Sequence, residues 1–235
     1  MTIYGNDDSH WNGKRNYDIA KAKGARFNVS KASEGKTYQD DTFVSNYTAA
    51  KATFEINGAY HYFRPGVSAS QQIVNLSTAL KKIDWSPKSL LAVDYETADG
   101  QAPSVCIGRL KSFCKELRAM YTNPILIYTG PGIWASIGSK DDFWTQFDLF
   151  IANYGVPAPT IPAPWDRYAI WQFSATGTGP AWGASSPHID IDIMSDWYWD
   201  QVVIPAPPPE PEPNPIIPEM LTGTVGDNTY TWRLE

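Results

Sequence analysis

Residues 90–96, with the sequence Leu-Leu-Ala-Val-Asp-Tyr-Glu, join an apolar run to two carboxylates separated by one residue. The run predicts a buried β-strand, in which side chains alternate between the two faces, so Asp94 and Glu96 are expected to point the same way. Their Cα atoms would lie about 6–7 Å apart. Two carboxylates on one face at a strand end suit the proton-donor and charge-stabilising roles of glycoside hydrolysis. The alternative is a solvated pair without a catalytic role.

Similar apolar runs recur along the chain and predict eight β-strands, around residues 3–5 and at 26–31, 58–63, 90–95, 124–128, 148–152, 168–173 and 188–193. Helical periodicity separates the earlier strands, at residues 16–23, 41–53, 68–83 and 103–121. Strands that alternate with helices favour a parallel sheet, and eight of them favour an α/β fold of the small TIM-like (β/α) barrel type. The periodicity is lost after residue 148, so few or no helices are expected between the last strands.

The chain has 235 residues, of which 43% are hydrophobic, enough to bury one sizeable core. Residues 204–219 are rich in proline and acidic side chains, which predicts an extended linker between a domain at 1–203 and a short tail at 220–235. The tail is too short to fold alone, so it is the start of a truncated further domain, an added strand or a disordered end. Cys106 and Cys114 lie on one predicted helix, about 12 Å apart, and are expected to be free and packed.

The composition argues against several classes of partner. The formal net charge is −6 with no basic patch, which disfavours nucleic acid. No segment approaches 18 consecutive apolar residues, so no membrane insertion is expected. The three histidines lack metal-ligand spacing, which predicts neither a metal nor another cofactor, and we expect a monomer. Residues 1–8 lack the basic and apolar regions of a signal peptide, so we expect synthesis in the cytoplasm, with action after release or as part of a longer secreted protein.

The active site of such a barrel lies at the carboxyl ends of its strands, so the residues that end different strands should converge there. Most of these residues are acidic, aromatic or amide-bearing: Asp7, Lys31, Glu34, His61, Tyr62, Arg64, Asp94, Glu96, Tyr128, Asn153, Tyr154, Trp171, Gln172, Asp190 and Asp192. The aromatic content of 14% also leans towards a sugar cleft, because aromatic faces stack on pyranose rings, although core packing is the competing explanation.

Six short segments, in this order, match landmarks of one enzyme family. They are Gly-Asn-Asp-Asp-Ser-His-Trp-Asn-Gly at 5–13, Lys-Ala-Ser-Glu-Gly at 31–35, Gly-Ala-Tyr-His-Tyr-Phe at 58–63, Asp-Tyr-Glu at 94–96, Ile-Ala-Asn-Tyr at 151–154 and Trp-Gln-Phe at 171–173. Together they resemble the lysozymes of glycoside hydrolase family 25, the Chalaropsis-type muramidases common among phage endolysins. The resemblance covers about residues 3–200.

Two places depart from the family pattern. Asn6 stands where the family usually has an apolar residue. The closing Val-Asp-x-Asn of the family appears as Ile189-Asp190-Ile191-Asp192, which puts Asp190 in the acidic position and Asp192 in that of the asparagine. Both aspartates point to the same face of a strand, so a register shift of two residues would exchange them.

The resemblance implies cleavage of the β-1,4 bond between N-acetylmuramic acid and N-acetylglucosamine in peptidoglycan, with retention of configuration. Glu96 would be the general acid and then the general base, in an apolar or acid-crowded environment. Asp94 would stay ionised and either orient the 2-acetamido group of the substrate or act as the nucleophile. Asp7 and Asp190 would flank the cleft, or would only accept backbone hydrogen bonds at strand ends.

The remaining candidates would contact the substrate: Lys31, Glu34, Tyr62, Arg64, Tyr128, Tyr154, Trp171, Gln172 and Asp192. For the tyrosines and the tryptophan, core packing is the alternative to sugar contact. Lys31 and Glu34 would form an ion pair that braces the site, or a solvated pair.

Two other classes of function stay open. A non-catalytic glycan-binding barrel would keep the aromatic residues but would not need both Asp94 and Glu96. A structural wall or virion protein would use the barrel as a scaffold and the proline-rich segment as a spacer. A chitinase is disfavoured, because Leu90 and Ala92 stand where its spaced aspartates would be.

Overall fold

A computed structural model of the protein describes residues 2–137 and 139–203, and the backbone of two strands at 221–225 and 228–232. The chain divides into two compact units, Met1–Pro205 and Ala206–Glu235. In the second unit, Leu221–Val225 pairs antiparallel with Asn228–Trp232. The predicted linker at 204–219 lies outside the described residues.

One sheet dominates the first unit, and eight of its strands close into the predicted α/β barrel. The strands are β1 (Ile3–Asp8), β2 (Ala25–Glu34), β3 (Tyr38–Gln39), β4 (Ile56–Tyr62), β5 (Leu90–Asp94), β6 (Ile125–Thr129), β7 (Asp148–Ala152), β8 (Ile170–Thr178) and β9 (His188–Met194). The order β1-β9-β8-β7-β6-β5-β4-β2 is closed by the pairing of β1 with β2. The short β3 pairs antiparallel with the end of β2 and is not part of the closed barrel.

Helices cover the outside of the barrel: α1 (Tyr17–Lys23), α2 (Phe43–Thr53), α3 (Ala69–Leu80), α4 (Pro103–Met120), α5 (Pro131–Ile137) and α6 (Asp196–Val203). The first four lie within the predicted helical segments. The α1 helix shows why: the Asn16 side chain accepts the free N–H groups of its first turn, and Gly24, at φ 110°, ends it in a left-handed conformation. Helices α5 and α6 are too short to produce a periodic pattern in the sequence.

The later part of the chain agrees with the expected loss of helices. Between β7 and β9, residues 153–187 contain no α-helix. Cys106 and Cys114 both lie on α4, buried and free, as predicted. None of the described helices combines the length and apolar character needed to cross a bilayer.

The prediction of a parallel sheet is wrong for the last strand. β9 runs antiparallel to both β8 and β1. Its connection from β8 contains only a short 3₁₀ helix, Gly179–Trp182, and a connection without a crossover helix returns the chain in the opposite direction. The amino-terminal half of β9 therefore lies at the same end of the barrel as the carboxyl ends of the parallel strands.

The two faces of β5 pack into different layers. Leu90 and Ala92 belong to the apolar cluster inside the barrel, whereas Leu91 and Val93 belong to the larger cluster that the helices cover. All four are at most 1% exposed. Strand alternation therefore places Asp94 on the interior face, above Ala92 and at the mouth of the barrel.

Candidate active site

A pocket of about 200 Å³ opens at the mouth of the barrel. It is lined by Asp7, Tyr60, Ala92, Asp94, Glu96, Tyr128, Phe150, Tyr154, Gln172 and Asp190. Its volume is several times the roughly 30 Å³ that a water molecule occupies, so it can admit part of a larger substrate. All four predicted catalytic carboxylates face this pocket, together with three members of the predicted substrate-binding set.

Asp94 and Glu96 lie in contrasting environments. The strand β5 ends at Asp94, one residue earlier than predicted, so Glu96 stands beyond it on the loop. Asp94 is 5% exposed and its Oδ1 has no hydrogen-bond partner among the described residues, whereas Glu96 is exposed. Burial, and then the charge of Glu96, raises the pKa of Asp94 well above its usual range, and Lys31 opposes this only in part. This environment favours the protonated form of Asp94, in contrast to the expectation that Asp94 stays ionised.

Asp7, Asp190 and Asp192 form a second acidic group, on β1 and β9. Burial, and then the charges of Asp190 and Asp192, raises the pKa of Asp7 well above its usual range. Burial also raises the pKa of Asp190 to about 6; contact with Asp7 opposes this increase and the charge of Glu96 adds to it. These carboxyl groups therefore hold protons at pH values at which isolated aspartates are ionised.

The direction of β9 separates the two aspartates that the sequence leaves interchangeable. Asp192 pairs with Gly5 of β1 and Gln172 of β8, is fully buried, and has no hydrogen-bond partner for either carboxylate oxygen among the described residues. Asp190 lies two residues nearer the mouth and lines the pocket. The structure does not support substrate contact by Asp192, because it lies deeper than Asp190. Burial and the charge of Asp190 raise the pKa of Asp192 well above its usual range.

Gln172 connects two sides of the pocket. Its Oε1 accepts a hydrogen bond from the Tyr128 hydroxyl at 2.8 Å and another from the Tyr154 hydroxyl. Its Nε2 donates to Oδ2 of Asp7 at 2.5 Å. The two tyrosines fix the amide with its nitrogen towards the carboxylate, and this donation favours ionised Asp7 against the effect of burial. The sequence indicates each of these residues separately but not the network that they form.

Four other predicted substrate contacts form the rim beside the pocket. Lys31 is 7% exposed and pairs with Glu34 at 2.7 Å, so the bracing ion pair is confirmed over the solvated one. Arg64 bridges Glu34 at 3.4 Å and Asp99 at 3.0 Å. The Lys31 ammonium and the Arg64 guanidinium lie 4.9 and 5.5 Å from the centre of the Tyr62 ring. Burial and then the charge of Glu96 raise the pKa of Tyr62 to about 12.

Trp171 does not reach the pocket. It is adjacent to Gln172 on β8 and therefore points to the opposite face of the strand. Its indole Nε1 donates to the backbone carbonyl of Asn153 at 2.8 Å, and its ring packs edge-on against Tyr168 and Phe173. The structure therefore favours the packing alternative for this residue over a sugar-contacting wall.

His61 also faces away from the pocket, into the layer between barrel and helices. Its Nδ1 lies 2.8 Å from the Ser33 hydroxyl and its Nε2 lies 3.1 Å from Oε1 of Gln72, while its ring stacks on Phe113. Burial lowers the pKa of His61 to about 4, so it stays neutral. Of the strand-end residues expected to converge, this one is structural.

Three residues of the pocket were absent from the sequence prediction: Tyr60, Ala92 and Phe150. The signal for the first two was present, because Tyr60 and Ala92 each precede a predicted site residue by two positions on a strand. Phe150 supports the pocket differently, by packing edge-on against Tyr128 at 4.9 Å. The prediction overlooked them because it considered only the ends of the strands.

Asn6, the departure from the family pattern, supports the backbone of Asp190. Its Nδ2 donates to the backbone carbonyl of Asp190 at 2.8 Å, and its Oδ1 accepts from Nη2 of Arg15 at 3.3 Å. Arg15 is itself fixed by Oδ2 of Asp8 at 3.0 Å and by the backbone carbonyl of Trp182 at 2.9 Å. An apolar residue at position 6 could not make the bond to β9.

Two groups of carboxylates facing one pocket at the mouth of an α/β barrel are typical of a glycoside hydrolase. A family model described as "Glycosyl hydrolases family 25" matches residues 6–182. The chain belongs to this family and is a glycoside hydrolase.

The chain is similar in sequence to a lysozyme and to an N,O-diacetylmuramidase. Lysozyme M1 of Streptomyces globisporus is 29% identical over an alignment of 190 positions, and the alignment covers 74% of this chain and 63% of that protein. The chain thus spans less than two thirds of the length of that relative. The N,O-diacetylmuramidase of Chalaropsis sp is 29% identical over an alignment of 187 positions, and the alignment covers 74% of this chain and 88% of that protein.

Solved structures are similar as well. A lysozyme from Streptomyces coelicolor aligns with a TM-score of 0.72 and 29% identity, over 83% of this chain and 93% of that one. A muramidase from Trichobolus zukalii aligns with a TM-score of 0.71 and 30% identity, over 82% of this chain and 93% of that one.

Proposed function

We propose that this protein is a lysozyme of the N-acetylmuramidase type, which hydrolyses the β-1,4 bond between N-acetylmuramic acid and N-acetylglucosamine in peptidoglycan with retention of configuration. The observation that carries the proposal is the pair of Asp94 and Glu96 at the mouth of the barrel, one buried and one exposed. The relatives named lysozyme and N,O-diacetylmuramidase support the choice of substrate.

Glu96 is the general acid of the proposed mechanism. Its exposed carboxyl group stands beyond the strand end, where a glycosidic oxygen can approach it. Its proton passes to that oxygen as the bond to the anomeric carbon breaks. The resulting carboxylate then takes a proton from water, whose oxygen attacks the same carbon, and Glu96 regains its starting form.

Asp94 positions the substrate rather than attacking it. Its raised pKa favours a neutral carboxyl group, and a neutral carboxyl group is a poor nucleophile. In the proposed reaction, the carbonyl oxygen of the 2-acetamido group forms the new bond to the anomeric carbon, and Asp94 holds that group by a hydrogen bond. Water later breaks this bond from the opposite side, so the two inversions give retention.

Asp7 and Asp190 flank this centre as positioning carboxylates, with Gln172 controlling the protonation of Asp7. Tyr128 and Tyr154 form part of the pocket wall, and each is held there by a hydrogen bond from its hydroxyl to the Gln172 side chain. The rim of Lys31, Glu34, Tyr62 and Arg64 contacts the sugars that extend beyond the pocket. No metal or cofactor takes part in this scheme.

The proposed setting is the bacterial cell wall. The catalytic domain corresponds to residues 1–203, with 204–219 as a linker and 220–235 as a tail, and we propose that it acts as a monomer in the manner of a phage endolysin. The pocket lies entirely within the first compact unit, which supports residues 1–203 as the catalytic domain.

The test is mass spectrometry of the products released from purified peptidoglycan. The wild type should release muropeptides that end in reducing N-acetylmuramic acid, and Glu96→Gln should release none. Glu116→Gln, on the helix α4 outside the pocket, is the matched control and should behave as the wild type. Intact peptidoglycan after treatment with the wild type, with binding retained, would instead support a non-catalytic glycan-binding barrel.

A further inference from the structure

Trp11 has the largest exposed fraction, 78%, of the large apolar side chains in the described part of the chain. It lies on the 3₁₀ helix His10–Asn12, which follows β1 directly. Because β1 ends at the mouth of the barrel, this helix stands at the same end as the pocket. Neither the core nor the proposed catalytic mechanism uses the indole ring.

Trp11 lies in a turn whose backbone is held by several hydrogen bonds. The Ser9 hydroxyl oxygen accepts the backbone N–H of Trp11 at 3.3 Å, and the Asn12 side chain accepts the backbone N–H of Ser9 at 2.9 Å. On the other side, the backbone N–H of Ser186 donates to the carbonyl of Asn12 at 3.2 Å. The backbone that carries the ring is therefore already ordered, and a ligand that binds there does not have to order this turn.

Two further rings extend the surface that Trp11 begins. The centre of the His10 ring lies 4.6 Å from that of Trp11, and the Tyr38 hydroxyl lies 2.9 Å from Nδ1 of His10. The buried Asp40 fixes His10 through its backbone N–H at 3.1 Å and its Nδ1 at 2.7 Å. Tyr38 is 41% exposed. We name Trp11, His10 and Tyr38 the aromatic ledge.

The aromatic ledge adjoins the rim of the pocket. The Lys31 ammonium lies 5.5 Å from the centre of the Tyr38 ring and 4.9 Å from that of Tyr62, so it bridges the ledge and the rim. Asp7, which lines the pocket, and Trp11 are four positions apart, which spans at most about 14 Å of chain. A polysaccharide seated in the pocket therefore has the ledge within reach of its next sugars.

We propose that the aromatic ledge binds a pyranose ring of the glycan strand, beyond the sugars held in the pocket. The inference rests on the proposed function and extends it from the scissile bond to the strand. Aromatic side chains each cover about 150–250 Å², which suits a sugar ring, whereas a stable protein partner needs about 800 Å² on each side. The Tyr38 hydroxyl supplies a hydrogen-bonding group at the edge of the rings, as the hydroxyl-rich rim of a sugar requires.

A site of this kind binds long strands more tightly than short ones. A sugar on the ledge lies away from the scissile bond, so its contact is the same in the ground state and in the transition state. Loss of the contact is therefore expected to raise KM rather than to lower kcat, and only for substrates long enough to reach the ledge.

The experiment compares KM for long uncross-linked glycan strands with KM for a tetrasaccharide of the same two sugars. Trp11→Ala should raise KM for the long strands by about three- to tenfold more than for the tetrasaccharide. Trp11→Phe, which keeps a ring, should recover most of this difference. Met120→Ala, at an exposed position on the end of α4, is the matched control and should show no length-dependent change.

Two results would overturn the aromatic ledge: KM values for both substrates that do not change in Trp11→Ala, or an equal increase for both, which would place Trp11 at the pocket. If the wild type cleaves neither substrate, the proposed function fails, and the ledge is then tested by calorimetry alone. In that case, weaker binding of long strands to Trp11→Ala than to the wild type supports the ledge, and equal binding refutes it.

Discussion

Asp190 is expected to destabilise the folded protein at neutral pH, and its removal should reveal how much. Burial raises the pKa of this carboxyl group from 3.8 to about 6, and Glu96 adds to the increase. At about 1.4 kcal/mol for each tenfold change in proton affinity, this corresponds to a penalty of about 3 kcal/mol once the group is ionised. Asp190→Asn keeps the shape of the side chain and removes this penalty.

The sign of the pH dependence follows from the direction of the change in pKa. An acid whose pKa is higher in the folded state than in the unfolded state destabilises the fold above the folded value and has no such effect below the unfolded value. The stabilisation of Asp190→Asn over the wild type should therefore be full above pH 6 and should vanish as the pH falls below about 4. Removal of the charge also lowers the cost of ionising Asp7 and Asp192, which acts in the same direction.

The assay is urea unfolding at pH 8 and pH 4, with Asp200→Asn, an exposed position on α6, as the control. Asp190→Asn should gain about 2–3 kcal/mol in the free energy of unfolding at pH 8 and close to nothing at pH 4, while its activity falls. A variant that is less stable than the wild type at pH 8, or a gain of equal size at both pH values, would refute the electrostatic reasoning.

Two more predictions concern the supports of the acidic group. Gln172→Leu removes the hydrogen-bond donor that favours ionised Asp7, so the pKa of Asp7 should rise further. The acid limb of the pH profile of kcat/KM should then move by about one pH unit towards higher pH, and an unmoved limb would show that the amide does not control Asp7. Asn6→Val removes the hydrogen bond to the β9 backbone and leaves the guanidinium of Arg15 with one acceptor fewer. The free energy of unfolding in urea should fall by about 1–2 kcal/mol, together with a lower kcat, and an unchanged kcat would mean that Asn6 serves stability alone.

Local patterns in the sequence were enough to predict most of the barrel. Apolar runs marked the strands, and the periodicity of residues 103–121 marked a helix observed at Pro103–Met120. The expected alternation is observed along β5, because that rule depends only on backbone geometry. The carboxylates facing the pocket were predictable for the same reason, since strand ends of a barrel converge.

What the sequence could not provide depends on tertiary structure. The direction of β9 follows from its short connection, and only that direction puts Asp190 above Asp192. The protonation of Asp94 depends on burial by elements distant in the chain. The role of Gln172 requires two tyrosines from different strands to meet one amide, a contact that no local pattern encodes.

The most direct test of the pair of Asp94 and Glu96 is proton NMR of the sugar that the reaction releases, recorded in its first minutes. If Glu96 protonates the glycosidic oxygen and the acetamido group held by Asp94 attacks the anomeric carbon, the new reducing N-acetylmuramic acid appears first as the β-anomer. It equilibrates with the α-anomer only later. Appearance of the α-anomer first would contradict the proposed mechanism, because it would show a single inverting displacement by water.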